Sequence, residues 1–94
     1  MNPQIKKEEW SSAEEWILFL SHQLKGNKWA EMTSYLKGRT DNTIKNHWNS
    51  RMKRNIQEFW MKLIEIKNQN VKQTIFNGPY SEIEKILLDK LLSD

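Results

Sequence analysis

Apolar positions recur at helical intervals along most of this chain, interrupted by short polar punctuation. Trp10 is followed by Ser11-Ser12-Ala13-Glu14-Glu15. Ser11 with Glu14 three positions on is a capping-box pattern, and Ser12 with Glu15 offers a second register. A first helix is predicted over about residues 12–24, with Gly26 as its C-cap. Trp29, Met32, Tyr35 and Leu36 have the spacing of a short second helix that Gly38 closes. Thr40 or Asp41 caps a third. On a helix advancing about 100° per residue, Ile44, Trp48 and Met52 share one face. Asn42, Lys45, Asn46, Asn49 and Lys53 share another, roughly a third of a turn away. Three helices joined by short Gly-containing turns, the last two close together, make a helix-turn-helix candidate.

No Gly or Pro lies between Arg39 and Asn77. Met52, Ile56, Phe59, Leu63 and Ile66 continue the apolar stripe, widened by Trp60 and Ile64, so the third helix is predicted over about 41–68 with a kink near Arg54-Asn55. Asn68-Gln69-Asn70 is a polar turn, residues 71–76 fit either a helix end or extended chain, and Asn77-Gly78-Pro79 breaks the pattern. Ser81 with Glu84 is a further capping box, opening a final helix with Ile83, Ile86, Leu87, Leu88, Leu91 and Leu92 on its apolar side. The fold class is therefore all-α. One surplus stands out. The first helix carries Trp16, Ile17, Leu20 and Leu24 as a second apolar stripe, an interface signal if left uncovered. Trp16, Leu20, Leu24, Phe59, Trp60, Leu63, Ile83, Leu87 and Leu91 are the interface candidates: the last helix folds back over the first, or the stripes meet a second copy or another protein. The apolar run after Arg54 is too short for an independent coiled coil, which favours packing within the chain.

Composition narrows the chemistry. With no Cys there is no disulfide framework, thiolate metal site or Cys nucleophile. No apolar run approaches the length of a membrane span, so a soluble intracellular protein without a membrane partner is expected. Net charge is +3, but between positions 37 and 54 six basic residues stand against one acid, Asp41, while the remainder after Arg54 is slightly acidic. A basic patch on a weakly charged body suggests a polyanion at one face. There is no Gly-rich phosphate loop and no Ser/His/acid set the helices would assemble, so no catalysis and no cofactor are expected. His22 and His47 are isolated, which makes a metal site a poor reading.

Trp10, Trp29 and Trp48 are 19 positions apart each time, and the segments GNKWAEM, LKGRTDN and IKNHWNS join them. This pattern resembles a Myb repeat, and more narrowly the third, DNA-reading repeat of animal and plant Myb proteins, over roughly residues 6–54. The resemblance implies a three-helix Myb/homeodomain-like helix-turn-helix, here with a lengthened third helix and an additional C-terminal helix. It divides the chain into a lead-in (1–7), the repeat (8–55) and a helical extension (56–94) that packs on the repeat or on a partner. The three indoles, each able to bury about 150–250 Å², would meet in one cluster, in a core with Leu18, His22, Met32, Ile44 and Met52. Lys45 and Asn46 match the positions that face guanine and adenine in an AAC-type site, with Asn49 and Ser50 supporting. Lys28, Asn42, Arg51, Lys53 and Arg54 would hold phosphates, Arg51 standing where the family often has a small polar residue. Arg39 matches a residue that pairs with a first-helix acid, here Glu14. His47 is expected on the helix surface. The family's run of three acids opening the first helix is reduced to Glu14 and Glu15. The implied function is double-stranded DNA binding within a nuclear transcription regulator. Asn2-Pro3-x-Ile5 resembles the seam before the third repeat, which makes a preceding repeat a candidate partner. The alternatives are a SANT-like protein-interaction module that uses the apolar extension, or a DNA-binding accessory subunit of a larger complex.

Overall fold

The computed structural model describes residues 9–69 and 80–92. In chain order these form α1 (Ser12–Lys25), α2 (Trp29–Met32), α3 (Asp41–Ser50), a 3₁₀ turn (Met52–Asn55), α4 (Ile56–Asn68) and α5 (Ser81–Leu92). The expected lead-in, the ambiguous segment 71–76 and the Asn77-Gly78-Pro79 breaker lie outside the described residues.

Local chemistry sets the ends of α1. The Ser11 hydroxyl oxygen accepts from the Glu14 N–H at 3.1 Å, and Glu14 Oε1 accepts from the Ser11 N–H at 3.0 Å, so two N-terminal donors are satisfied reciprocally. Gly26 ends the helix at φ 68°, a left-handed value that a side chain would strain, and its N–H donates to the His22 carbonyl at 2.8 Å. Between these ends, residues 16–21 are buried without a gap. A helix buried all round must have neighbours on more than one side. One flank, at His22, faces the tryptophans of α2 and α3. The other, with Trp16 and Phe19, meets Phe59 of α4 at ring-centroid distances of 6.5 and 5.5 Å.

The second flank is closed by α5. The Trp16 indole N–H donates to Glu84 Oε2 at 2.8 Å, both residues fully buried, and Leu87 and Leu88 enter the same core. The interface candidates are therefore largely consumed within the chain. Trp16, Leu20, Phe59, Leu63 and Leu87 are buried, Leu24, Ile83 and Leu91 pack partly buried against the core, and Trp60 alone of the set remains 41% exposed. Burying these side chains removes apolar area at about 25 cal/mol per Å², which drives the fold-back. Glu84, in the first turn of α5, reaches across to α1 through its Oε2.

Two helices differ from expectation. α2 lasts only to Met32, because the Thr33 and Ser34 hydroxyls donate to the Ala30 and Glu31 carbonyls at 2.7 and 2.9 Å and the chain leaves the helix through turns. Gly38 then takes φ 87° before Arg39. The long third helix is broken: α3 stops at Ser50, Arg51 leaves helical geometry at φ −124°, ψ −47°, and the 3₁₀ turn intervenes before α4. The physical reason is packing. A 3₁₀ turn rotates the chain more per residue than an α-helix does. This lets one continuous segment place Ile44 and Trp48 on one flank of α1 and Phe59 on the other, with Met52 buried at the bend.

Candidate nucleic-acid interface

α3 is fixed at its start by Thr40, whose hydroxyl oxygen accepts from the Thr43 N–H at 3.2 Å, while Asp41 Oδ1 accepts from the Asn42 N–H at 2.8 Å. Ile44 and Trp48 anchor its inner side in the core. That orientation turns Asn42, Lys45, Asn46, Asn49 and Ser50 outward, and all five are exposed. Among the described residues, none of these five side chains has a hydrogen-bond or ion-pair partner within the chain. The result is a continuous stripe of amides, one ammonium and one hydroxyl, all free to bind something else.

The basic frame is less uniform. Lys28 is exposed at the start of α2, and Lys53 and Arg54 are exposed on the 3₁₀ turn just beyond α3. Arg51 is 66% exposed at its side chain, yet its Nε lies 3.2 Å from Glu15 Oε2. Arg39 faces inward: its Nε and one terminal nitrogen each contact a Glu14 carboxylate oxygen at 3.0 Å, and the same nitrogen donates to the Glu9 carbonyl at 3.3 Å. Its donors are spent inside the fold.

Behind the stripe, the aromatic residues separate into two groups rather than one cluster of three tryptophans. His22 stacks on Trp48 at 3.8 Å and lies tilted against Trp29 at 5.5 Å, with Trp29 and Trp48 6.2 Å apart. His22 Nε2 also lies 3.0 Å from Asn27 Oδ1, so this half-buried histidine ties the end of α1 to the turn after it. Trp10 instead stacks on His47 at 4.2 Å, nearly parallel, with the Arg39 guanidinium 4.6 Å from the indole centre. His47 is therefore not a plain surface residue. Its side chain is 13% exposed and its Nε2 lies 2.8 Å from Glu15 Oε2. Burial pushes the His47 pKa below its ordinary value; the Glu15 hydrogen bond and charge oppose this, and the nearby Arg51 and Arg39 charges add to it. Glu9, Trp10, Glu15, His47, Ser50, Arg51, Arg54 and Asn55 together line a concavity of about 620 Å³ beside the exposed stripe.

Glu15 is the residue that sequence reasoning passed over. The available signal was His47 and Arg51, four apart on one side of a helix, where a single carboxylate from a neighbouring helix can meet both.

Residues 7–52 match the family of Myb-like DNA-binding domains. This stretch is a Myb-like DNA-binding domain. The Myb-like domain contains α1, α2 and α3, whereas α4 and α5 fall beyond the matched residues. The chain is 50% identical over 58 residues to Myb-related protein A of Xenopus laevis, covering 62% of the chain and 8% of that protein. It is 49% identical over 59 residues to Transcription factor MYB3R-4 of Arabidopsis thaliana, covering 63% of the chain and 6% of that protein. Against Myb-related protein A of Mus musculus the similarity extends over 86 residues at 36% identity, covering 92% of the chain and 12% of that protein. The chain thus spans only a small fraction of the length of these relatives. No solved structure matches it.

Proposed function

We propose that this chain binds double-stranded DNA by laying α3 in the major groove, as part of a nuclear transcription regulator. The observation that carries the reading is the exposed stripe of Asn42, Lys45, Asn46, Asn49 and Ser50, whose side chains have no partner within the described chain while the opposite side of α3 is core. The major groove offers adenine edges that an Asn amide can meet with two hydrogen bonds and guanine acceptors that a Lys ammonium can meet. In an AAC-type site Asn46 takes the adenine, Lys45 faces the guanine of the opposite strand, and Asn49 and Ser50 support them. Lys28, Lys53, Arg54 and the Arg51 guanidinium hold phosphates and set the register without reading sequence. The resemblance of the Myb-like domain to transcription factors is consistent with this role.

A single reading helix gives a short base footprint and few phosphate contacts, so binding by this chain alone is weak and falls as salt rises. A preceding Myb repeat in the native protein would lengthen the footprint. Much of the apolar extension that suggested a protein-interaction module is buried against α1, while Trp60, Met61, Ile64 and Ile86 stay exposed and are what such a module would use.

The test is binding to an AAC-containing duplex and to a scrambled one across a salt series. The expected result is a preference for AAC and an affinity that declines with salt. Asn46→Ala should flatten that preference, since one good base contact contributes about 1–3 kcal/mol of discrimination. Lys53→Ala should weaken both duplexes alike and reduce the salt slope by about 0.9 in log–log units. Equal binding of both duplexes by the parent chain would reduce α3 to a backbone contact.

A further inference from the structure

We infer that Glu15 is a positioning residue for the reading face, acting through His47 and Arg51; the inference rests on the DNA-binding reading of α3 proposed above. Glu15 belongs to α1, yet its Oε2 receives two contacts from the far end of the reading helix: His47 Nε2 at 2.8 Å and Arg51 Nε at 3.2 Å. Those two side chains bracket Trp48, Asn49 and Ser50, the last full turn of α3.

That turn needs an external restraint. α3 ends at Ser50 and Arg51 departs from helical geometry, so the helix does not run on into α4 to stiffen its own end. The inner anchors, Ile44 and Trp48, lie one turn apart along the same side of α3 and fix its depth. The second restraint comes from the side and resists rolling about that line. His47 is held between the Trp10 ring on one face, 4.2 Å away and within 2° of parallel, and the Glu15 carboxylate at its edge. Trp10 is in turn covered by Arg39, which Glu14 binds through both carboxylate oxygens. Adjacent acids of α1 therefore hold the two ends of one stack, Glu14 through Arg39 and Glu15 through His47. Rotation of the last turn of α3 would break the 2.8 Å contact first, and it would carry Asn46, Asn49 and Ser50 away from a common plane of approach.

Glu15 also lowers the positive charge that Arg51 presents outward, because an Nε donor is committed to a carboxylate. Removing it has two opposite effects on DNA binding. Affinity for any duplex rises as an anion leaves the neighbourhood of the phosphates, while discrimination between duplexes falls as the reading turn loses its restraint. A residue that merely supports the fold does not separate these two quantities.

The experiment measures the ratio of affinities for the AAC and scrambled duplexes, well below the melting temperature and with folded content checked by circular dichroism, for the parent chain, Glu15→Ala, Glu15→Gln and Arg51→Ala. Glu15→Ala is expected to lower the ratio at least about fivefold, the low end of what one base contact supplies, with unchanged or higher affinity for the scrambled duplex. Glu15→Gln, whose amide oxygen still accepts from His47 and Arg51, is expected to restore most of the ratio while keeping the higher general affinity. Arg51→Ala, a change at an exposed side chain that leaves the fold intact, is expected to lower the ratio as well as the affinity; a lost phosphate contact alone would leave the ratio as it was. If the parent discriminates and neither Glu15→Ala nor Arg51→Ala changes the ratio, the positioning role is overturned and the DNA reading stands. A parent chain that does not discriminate overturns both.

Discussion

Glu14 and Arg39 have side chains 4% and 3% exposed and meet at 3.0 Å through two pairs of atoms, so each neutralises a charge that water cannot reach. Truncating either partner leaves the other buried and uncompensated. Arg39→Ala is expected to cost about 3–5 kcal/mol, measured as a lower urea midpoint with an unchanged slope. His47 responds to pH instead. Its folded pKa lies below its unfolded value, so the unfolded chain binds the proton more readily and folding stability falls as pH drops below about 6.5, the ordinary histidine value. Thermal melts of the parent chain between pH 7.5 and 5.5 should show this loss, and His47→Gln should flatten it. The basis for these residues was unevenly visible in the sequence. The outward stripe of α3 followed from helical periodicity, because Ile44 and Trp48 fix which side faces in. The placement of His47 did not, since it depends on Trp10 and Glu15 arriving from an element more than 30 positions away.

At the scale of helices, local signals set the ends and packing set the continuity. Ser11 and Glu14 satisfy each other's backbone donors, so Ser11→Ala should cost about 0.5–2 kcal/mol, read as a lower melting temperature with DNA preference intact. The start of α1 and its Gly26 end were legible because they depend on side chains within a few residues. A kink was expected near Arg54-Asn55, but its start at Arg51 and its depth, a full break through a 3₁₀ turn, were not legible, since neither Gly nor Pro marks them and the apolar spacing from Met52 to Ile66 runs through undisturbed. Only the need to reach both flanks of α1 bends the chain there. The same holds for the Glu84 contact with α1, where its Oε2 accepts from the Trp16 indole N–H across 68 positions. Trp16→Phe deletes that donor to a buried carboxylate and also leaves part of the indole volume unfilled, so it should cost at least about 1–3 kcal/mol by thermal melting.

For the molecule as a whole, the extension completes a core that the Myb-like domain leaves open on one side. A chain ended after Gln69 would lose Leu87, Leu88 and Glu84 from that core and uncover the Trp16 indole. It is expected to associate with itself and to bind a hydrophobic dye, which light scattering and dye fluorescence would report, whereas the full chain should scatter as a monomer. That α5 returns to α1 was anticipated from the surplus stripe on α1, but the pairing of Trp16 with Glu84 was beyond any local pattern.

The distance along the chain between those two residues, 68 positions, also bears on the order in which the fold is made. Contacts among α1, α2 and α3 close short loops and can form early, whereas docking α5 must wait for a long loop to close. During synthesis α1 leaves the ribosome well before its last partner exists. For that interval the nascent protein carries an indole and several leucines in water, so a chaperone that binds exposed apolar helices should engage it until the Glu84 carboxylate arrives.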